Sequence, residues 1–174
     1  MNIKDLFEYN WYCRRKFLEG MGKLAWEKVI EDRGASFGSM RNIFLHSLEA
    51  EQGWLRHLAR GKIGEWPSHD YDEDFQDIGA VRNYMEEVED GGRAYFANIE
   101  RIDLERSPGW LRTKRYSVED VLMHVVEEEI HHRGELICLM WQIDVEPPYA
   151  SYMDFSVKGK RTRSQKKSKQ KRTT

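Results

Sequence analysis

Cysteine is scarce. The 174-residue chain has two, Cys13 and Cys138, too few and too far apart for a zinc knuckle, so both read as packing residues in a protein suited to a reducing cytoplasm. Proline is nearly as rare, with four in all, and Pro67, Pro108 and the Pro147-Pro148 pair fall between segments of helical character rather than inside them. Long apolar runs are missing too: the longest, Ile137 to Trp141, falls far short of a membrane span. The chain opens directly on an amphipathic pattern, so no signal peptide is expected. No Gly-rich phosphate loop, Gly-x-Ser-x-Gly elbow, His-Glu-x-x-His motif or Cys-x-x-Cys pair occurs, which takes away the usual sequence support for the chemistries those motifs serve.

What is present is the composition of one globular domain. Hydrophobic residues make up 40% of the chain, and 28 basic residues nearly balance 30 acidic ones. A chain of this length buries roughly 70% of its unfolded surface as a single unit. The balance conceals a division at residue 157. Nine of the basic residues lie between Lys158 and Thr174, which contain no acid, leaving 19 bases against 30 acids in residues 1–157. The tail 158–174 has too little apolar area to bury and is expected to be disordered. It is a weak candidate for nucleic acid or anionic lipid through phosphate contacts; without interleaved aromatics, a solvated extension folding back on the acidic body is the simpler reading.

Within the body, helical periodicity recurs four times and sustained strand alternation never does. Ile3, Leu6, Phe7, Trp11, Phe17, Leu18 and Met21 predict a first helix over Ile3 to Glu31. A second is predicted from Ser39 to Gly61, where Arg60-Gly61 supplies a cationic last turn and a glycine stop. A third spans Asp77 to Ile102, with Gly91-Gly92 as an expected weak point. The fourth opens at Ser117, with Asp120 completing a capping-box pattern, and runs to about Ile143 before the proline pair. Four such helices predict an all-α, antiparallel four-helix bundle.

The last helix carries the chemical signal. Glu128 and His132 are four residues apart, and at about 100° per residue both fall on the side of Val118, Val121, Val125, Leu136 and Leu139. His124 is marginal on that wheel, and His131 points away. An inward carboxylate and imidazole one turn apart can share a metal ion, or form a buried pair with no metal. A third ligand is expected from a facing helix, and His46, two turns into the second helix, is the choice; its face carries Ile43, Ala50 and Gly53, while Phe44, Leu48, Leu55 and Leu58 lie opposite. Taken singly, His46 is also compatible with an ordinary helix histidine, and Glu127-Glu128-Glu129 with a solvated acidic patch. His57 lies about 16 Å farther along the same helix, and His69 falls in a loop. Glu49, Tyr12 and Trp11 are possible pocket residues.

The segment His124-Val-Val-Glu-Glu-Glu-Ile-His131-His132-Arg133-Gly134-Glu-Leu136, His46 followed by Glu49 and Trp54, and the closing Pro147-Pro148-Tyr149 with Asp154 together resemble the DinB-like (DinB/YfiT) superfamily over roughly residues 1–155. The resemblance implies a four-helix bundle, commonly a homodimer, with one divalent metal ion per chain on three side chains, here His46, Glu128 and His132. Many members have histidine where this chain has Glu128; two imidazoles and one carboxylate resemble the set of mycothiol-dependent maleylpyruvate isomerases. Zinc or nickel is the conservative expectation for such ligands, with iron and manganese also compatible. Three protein ligands leave positions open. The resemblance therefore implies a metal-dependent thiol S-transferase acting on a small-molecule thiol and an electrophile, or a hydrolase using the same ion. The rival from another class is a non-catalytic metal-binding or stress-response module, tethered by the basic tail.

Overall fold

A computed structural model describes residues 2–110 and 116–156; the tail from residue 157 on, with the disorder and nucleic-acid contacts expected of it, lies outside these. The described residues are helical and contain no strand: α1 (Ile3–Met21), α2 (Trp26–Ile30), α3 (Met40–Arg60), α4 (Tyr71–Asp74), α5 (Ile78–Phe96), a 3-10 turn (Ile99–Arg101) and α6 (Val118–Trp141). The four long helices form the expected bundle. Around it α6 packs on α3, α3 on α5, α5 on α1 and α1 on α6.

The directions of the helices follow from their cross-contacts. His46 faces His132 while Trp54 faces His124, so α3 and α6 are antiparallel. Trp11 lies against Gly92 and Phe7 against Phe96, which makes α1 and α5 antiparallel as well. By contrast α1 runs with α6, since Arg14 meets Glu129 and Gly20 meets Met140. The bundle is thus antiparallel across two of its four contacts, and the order is up, down, down, up. That order requires the chain to return along the bundle between α3 and α5, which the connection 61–77 with α4 accomplishes.

Local chemistry explains the boundaries. The Ser39 hydroxyl accepts from the Asn42 N–H, and Gly61 closes α3 in the left-handed region at φ 66°. Ser117 and Asp120 form the reciprocal capping box that opens α6. Hydrogen bonds from the Ser117 backbone N–H and hydroxyl hold the Asp120 carboxyl below its ordinary value. The stabilisation this adds is present at neutral pH and is lost as the pH falls through that depressed value. Replacing Ser117 with Ala is expected to lower the unfolding free energy by about 1 kcal/mol, read by urea titration.

Three boundaries differ from expectation. The first helix stops at Met21, and the chain turns at Gly22 before resuming as the short α2. Gly20 lies where Pro148 crosses, with room for little more than a hydrogen: a Cβ there would sit 2.9 Å from the proline ring. The third helix ends at Phe96, and the fourth ends at Trp141, two residues early. Gly91-Gly92, expected to weaken α5, instead lies inside a continuous helix. Gly92 lets Trp11 approach: a Cβ would lie 2.6 Å from Trp11 Cζ2 and 3.0 Å from Glu51 Oε1, both fully buried. With neither neighbour free to move, Gly92→Ala is expected to cost about 1–3 kcal/mol of stability, measured in the same titration.

The core is in two parts. One contains Phe17, Met40, Phe44, Leu48, Val88 and Leu136; the other contains Phe7, Trp11, Leu55, Phe96, Val121 and Val125. Between them lies a charged layer in which Arg14 Nη2 donates to Glu129 Oε2 at 2.6 Å and to Glu51 Oε2 at 2.9 Å, while Trp11 Nε1 donates to Glu51 Oε1 at 2.9 Å. Glu129 belonged to a triplet compatible with a solvated patch; its side chain is in fact turned inward to α1. Cys13 is buried, whereas Cys138 is exposed and is not the packing residue expected. Phe44, Leu48, Leu55 and Leu58 are all core, while on the opposite face Ile43 is buried and His46 and Ala50 are only half-buried. Gly53 accommodates the ring of Trp66 from the connection 61–77, not a neighbouring helix.

Candidate metal centre

His46 sits two turns into α3, and Glu128 and His132 sit one turn apart on α6 where the two helices cross antiparallel. Glu128 Oε2 lies 3.4 Å from His132 Nε2 and 3.9 Å from His46 Nε2, and the three donor atoms lie within 4.8 Å of one another. Donors about 2.0–2.2 Å from a common ion are roughly 3–4 Å apart, and the two Glu128 distances fall in that range. The distances are too long for ordinary hydrogen bonds. All three residues expected from the sequence are brought together.

His132 is the anchored member. Its Nδ1 lies 2.7 Å from Glu135 Oε2, and Glu135 also accepts from the Ser36 hydroxyl at 2.9 Å and the Ser36 backbone N–H at 3.3 Å. Burial opposes the negative charge of Glu135, but the bonds from His132 and Ser36 outweigh it and hold the carboxyl below its ordinary value. An ionised Glu135 can only accept, so Nδ1 carries a hydrogen, and Nε2, on the Glu128 side, is the nitrogen a metal would take. A carboxylate on the far nitrogen of an imidazole is the usual device for orienting a metal-binding histidine.

His46 is held differently. The ring of Phe37, on the loop before α3, stacks on it with centroids 3.8 Å apart and planes 20° apart, while the His132 ring meets it edge-on at 4.9 Å. Burial lowers the pKa of His46, and the adjacent His132 lowers it further, against the opposing pull of Glu128, Glu49 and Glu135. A neutral imidazole is the form that binds a metal. His132 is almost wholly buried, with a side chain 6% exposed, whereas those of His46 and Glu128 are 30% exposed, so the site opens to solvent on their side.

The residues around this trio were less visible in the sequence. Phe37, Ser36 and Glu135 were not singled out; only the spacing of Glu135, three after His132, offered a signal, and the loop residues offered none. Glu49 lies one turn beyond His46 and is tied to His69 Nδ1 at 2.8 Å and the Tyr71 hydroxyl at 2.6 Å, which fastens the connection 61–77 to α3. Trp11 and Tyr12 are not part of the site: Trp11 lies in the core against Phe7 and Phe96, and Tyr12 packs on Tyr9 and Phe155. His131 is exposed, and His57 is buried with Nε2 against the Gly64 carbonyl at 3.2 Å.

The fold and this cluster define an all-α bundle with a His/Glu group able to hold a metal. The DinB family model matches residues 1–165, and the chain belongs to the DinB family. It is also 23% identical over 160 residues to the uncharacterized protein YizA of Bacillus subtilis (strain 168), an alignment that covers 90% of this chain and 97% of that protein. Among the described residues no helix is long and apolar enough to cross a membrane.

Proposed function

We propose that this protein binds a divalent metal ion through His46, Glu128 and His132 and acts on small molecules as a metal-dependent thiol S-transferase, with hydrolysis as the neighbouring chemistry of the same site. The observation that carries the reading is the pairing of a converging donor trio with an outer carboxylate, Glu135, on the far nitrogen of His132. A buried ion pair would satisfy Glu128 directly, at the 2.7–2.9 Å typical of charge-assisted contacts. Here Glu128 keeps its distance from both imidazoles.

When bound, a divalent ion lowers the pKa of a thiol or water that joins it. The chain's own residues supply the rest. Glu135 and Ser36 fix the rotation of His132, Phe37 covers one face of His46, and the half-exposed side of His46 and Glu128 leaves a small molecule room to enter. Zinc or nickel suits two imidazoles and a carboxylate.

Glu135→Gln tests the outer support. Its amide still bonds to His132, but the charge that favours Nδ1–H is gone, and metal affinity is expected to fall about 10–100-fold in a competition titration with a chromophoric chelator. Catalysis is tested by supplying a panel of low-molecular-weight thiols with a fluorescent electrophile. Conjugation above the uncatalysed rate, lost on chelation, restored by zinc or nickel and absent in His132→Ala, supports the transferase. Full metal occupancy with no conjugation and no ester or amide hydrolysis would leave a metal-binding module in its place.

A further inference from the structure

The two oxygens of the Glu128 carboxylate face different partners. Oε2 is directed to His132 and His46, as described above. Oε1 lies 3.8 Å from the Nε2 of His124, one turn earlier on the same helix. The carboxylate of Glu127 completes this second group, with its donor atom within 4.8 Å of those of His124 and Glu128. Three imidazoles therefore surround one carboxylate at 3.4–3.9 Å, and the described residues give it no direct hydrogen bond. Protonated imidazoles free to rotate would close on a carboxylate to about 2.7–2.9 Å. Gaps of the size seen here are those left between donors that share cations.

His124 is also not a freely rotating surface side chain. The ring of Trp54 meets it edge-on, with centroids 5.6 Å apart, and Trp54 is itself stacked on Trp110 at 6.1 Å. The Trp54 ring on α3 bounds one side of the imidazole, and Nε2 is on the Glu128 side. Both histidines that flank Glu128 on α6 are thus restrained, His132 by Glu135 and His124 by Trp54.

We propose that His124, Glu127 and the Oε1 side of Glu128 bind a second divalent cation, with Glu128 bridging it to the ion held by His46 and His132. This rests on the reading of His46, Glu128 and His132 as ligands. A bridging carboxylate places two ions about 3.5–4 Å apart, the separation of two-metal sites. The two positions differ in character. His124 is 47% exposed against 6% for His132, so the second ion keeps more water, accepts harder cations such as manganese, and fills after the first at higher metal concentration.

The test is a manganese titration of the chelator-stripped full-length chain, with bound metal counted by elemental analysis and the spectrum followed by electron paramagnetic resonance. The wild type is expected to take up one ion and then a second, with exchange coupling between the two spins appearing at saturation. His124→Ala, a change at a half-exposed position whose fold is checked by circular dichroism, is expected to stop at one ion per chain with no coupling. Saturation of the wild type at a single uncoupled ion overturns the proposal, as does a coupled pair that persists in His124→Ala. A wild type that holds a single ion, lost in His132→Ala and kept in His124→Ala, would leave the mononuclear reading standing and sink only this one; an ion at that position that survives in His132→Ala would sink the mononuclear reading.

Discussion

Replacing Arg14 with Met is expected to lower the unfolding free energy by about 3–5 kcal/mol, the range for removing one partner of a buried ion pair. The change leaves Glu51 and Glu129 facing one another inside the bundle with no cation between them. Burial alone would push the Arg14 guanidinium down, but the carboxylates of Glu129 and Glu51 outweigh it and keep the arginine protonated. The opposite tension acts on Glu51, where burial pushes the carboxyl up, against Arg14 and the Trp11 N–H, while Glu129 adds to the push. Burial is the largest influence on both groups, which is why neither charge stands without the other. The loss is read as a lower urea midpoint at unchanged slope. A triple replacement, Arg14→Met with Glu51→Gln and Glu129→Gln, is expected to recover most of it by removing the stranded charges. Recovery would assign the cost to uncompensated carboxylates rather than to lost packing around residue 14.

The second large effect is on metal binding. His132→Ala removes the most buried and best anchored of the three donors, so affinity is expected to fall by more than the roughly 10–100-fold typical of losing an outer-shell partner. Stability is expected to fall as well, since the change empties the space of a buried imidazole and breaks its bond to Glu135. A chelator competition reads the affinity, and a urea titration of the metal-free protein reads the stability. Unchanged affinity in His132→Ala would remove this residue from the ligand set.

Much of this was readable before any coordinates. Ser39 and Gly61, and Ser117 with Asp120, marked the ends of two helices because capping is a local affair of four residues, decided by side-chain oxygens and backbone conformation. That His46, Glu128 and His132 would meet was also expected, two of them by helical spacing and His46 by its place on a facing helix, with the family resemblance pointing to the same three. What escaped depends on partners distant in the chain. Glu128 and Glu129 are chemically identical neighbours, yet one faces the imidazoles and the other Arg14, 115 residues away. The periodicity of α6 does place Glu129 inward, about 20° from Val118 and Leu136 on a 100° wheel, but nothing in that helix tells that a buried arginine will meet it there. Gly91-Gly92 looked like a weakness for the same reason, because the large ring that needs Gly92 to be small belongs to α1. The parallel pairing of α1 with α6 was hidden for another: helix order and length are in the sequence, but the path of the connection 61–77 is settled by contacts such as Glu49 with His69 and Tyr71.

Anomalous diffraction from crystals grown with zinc tests the central claim most directly. The strongest anomalous peak is expected between α3 and α6, about 2.0–2.2 Å from His46, from His132 Nε2 and from an oxygen of Glu128. Zinc present at saturating concentration but bound elsewhere, with Glu128 still 3.4 Å from His132 and 3.9 Å from His46 and no ion between them, would contradict it.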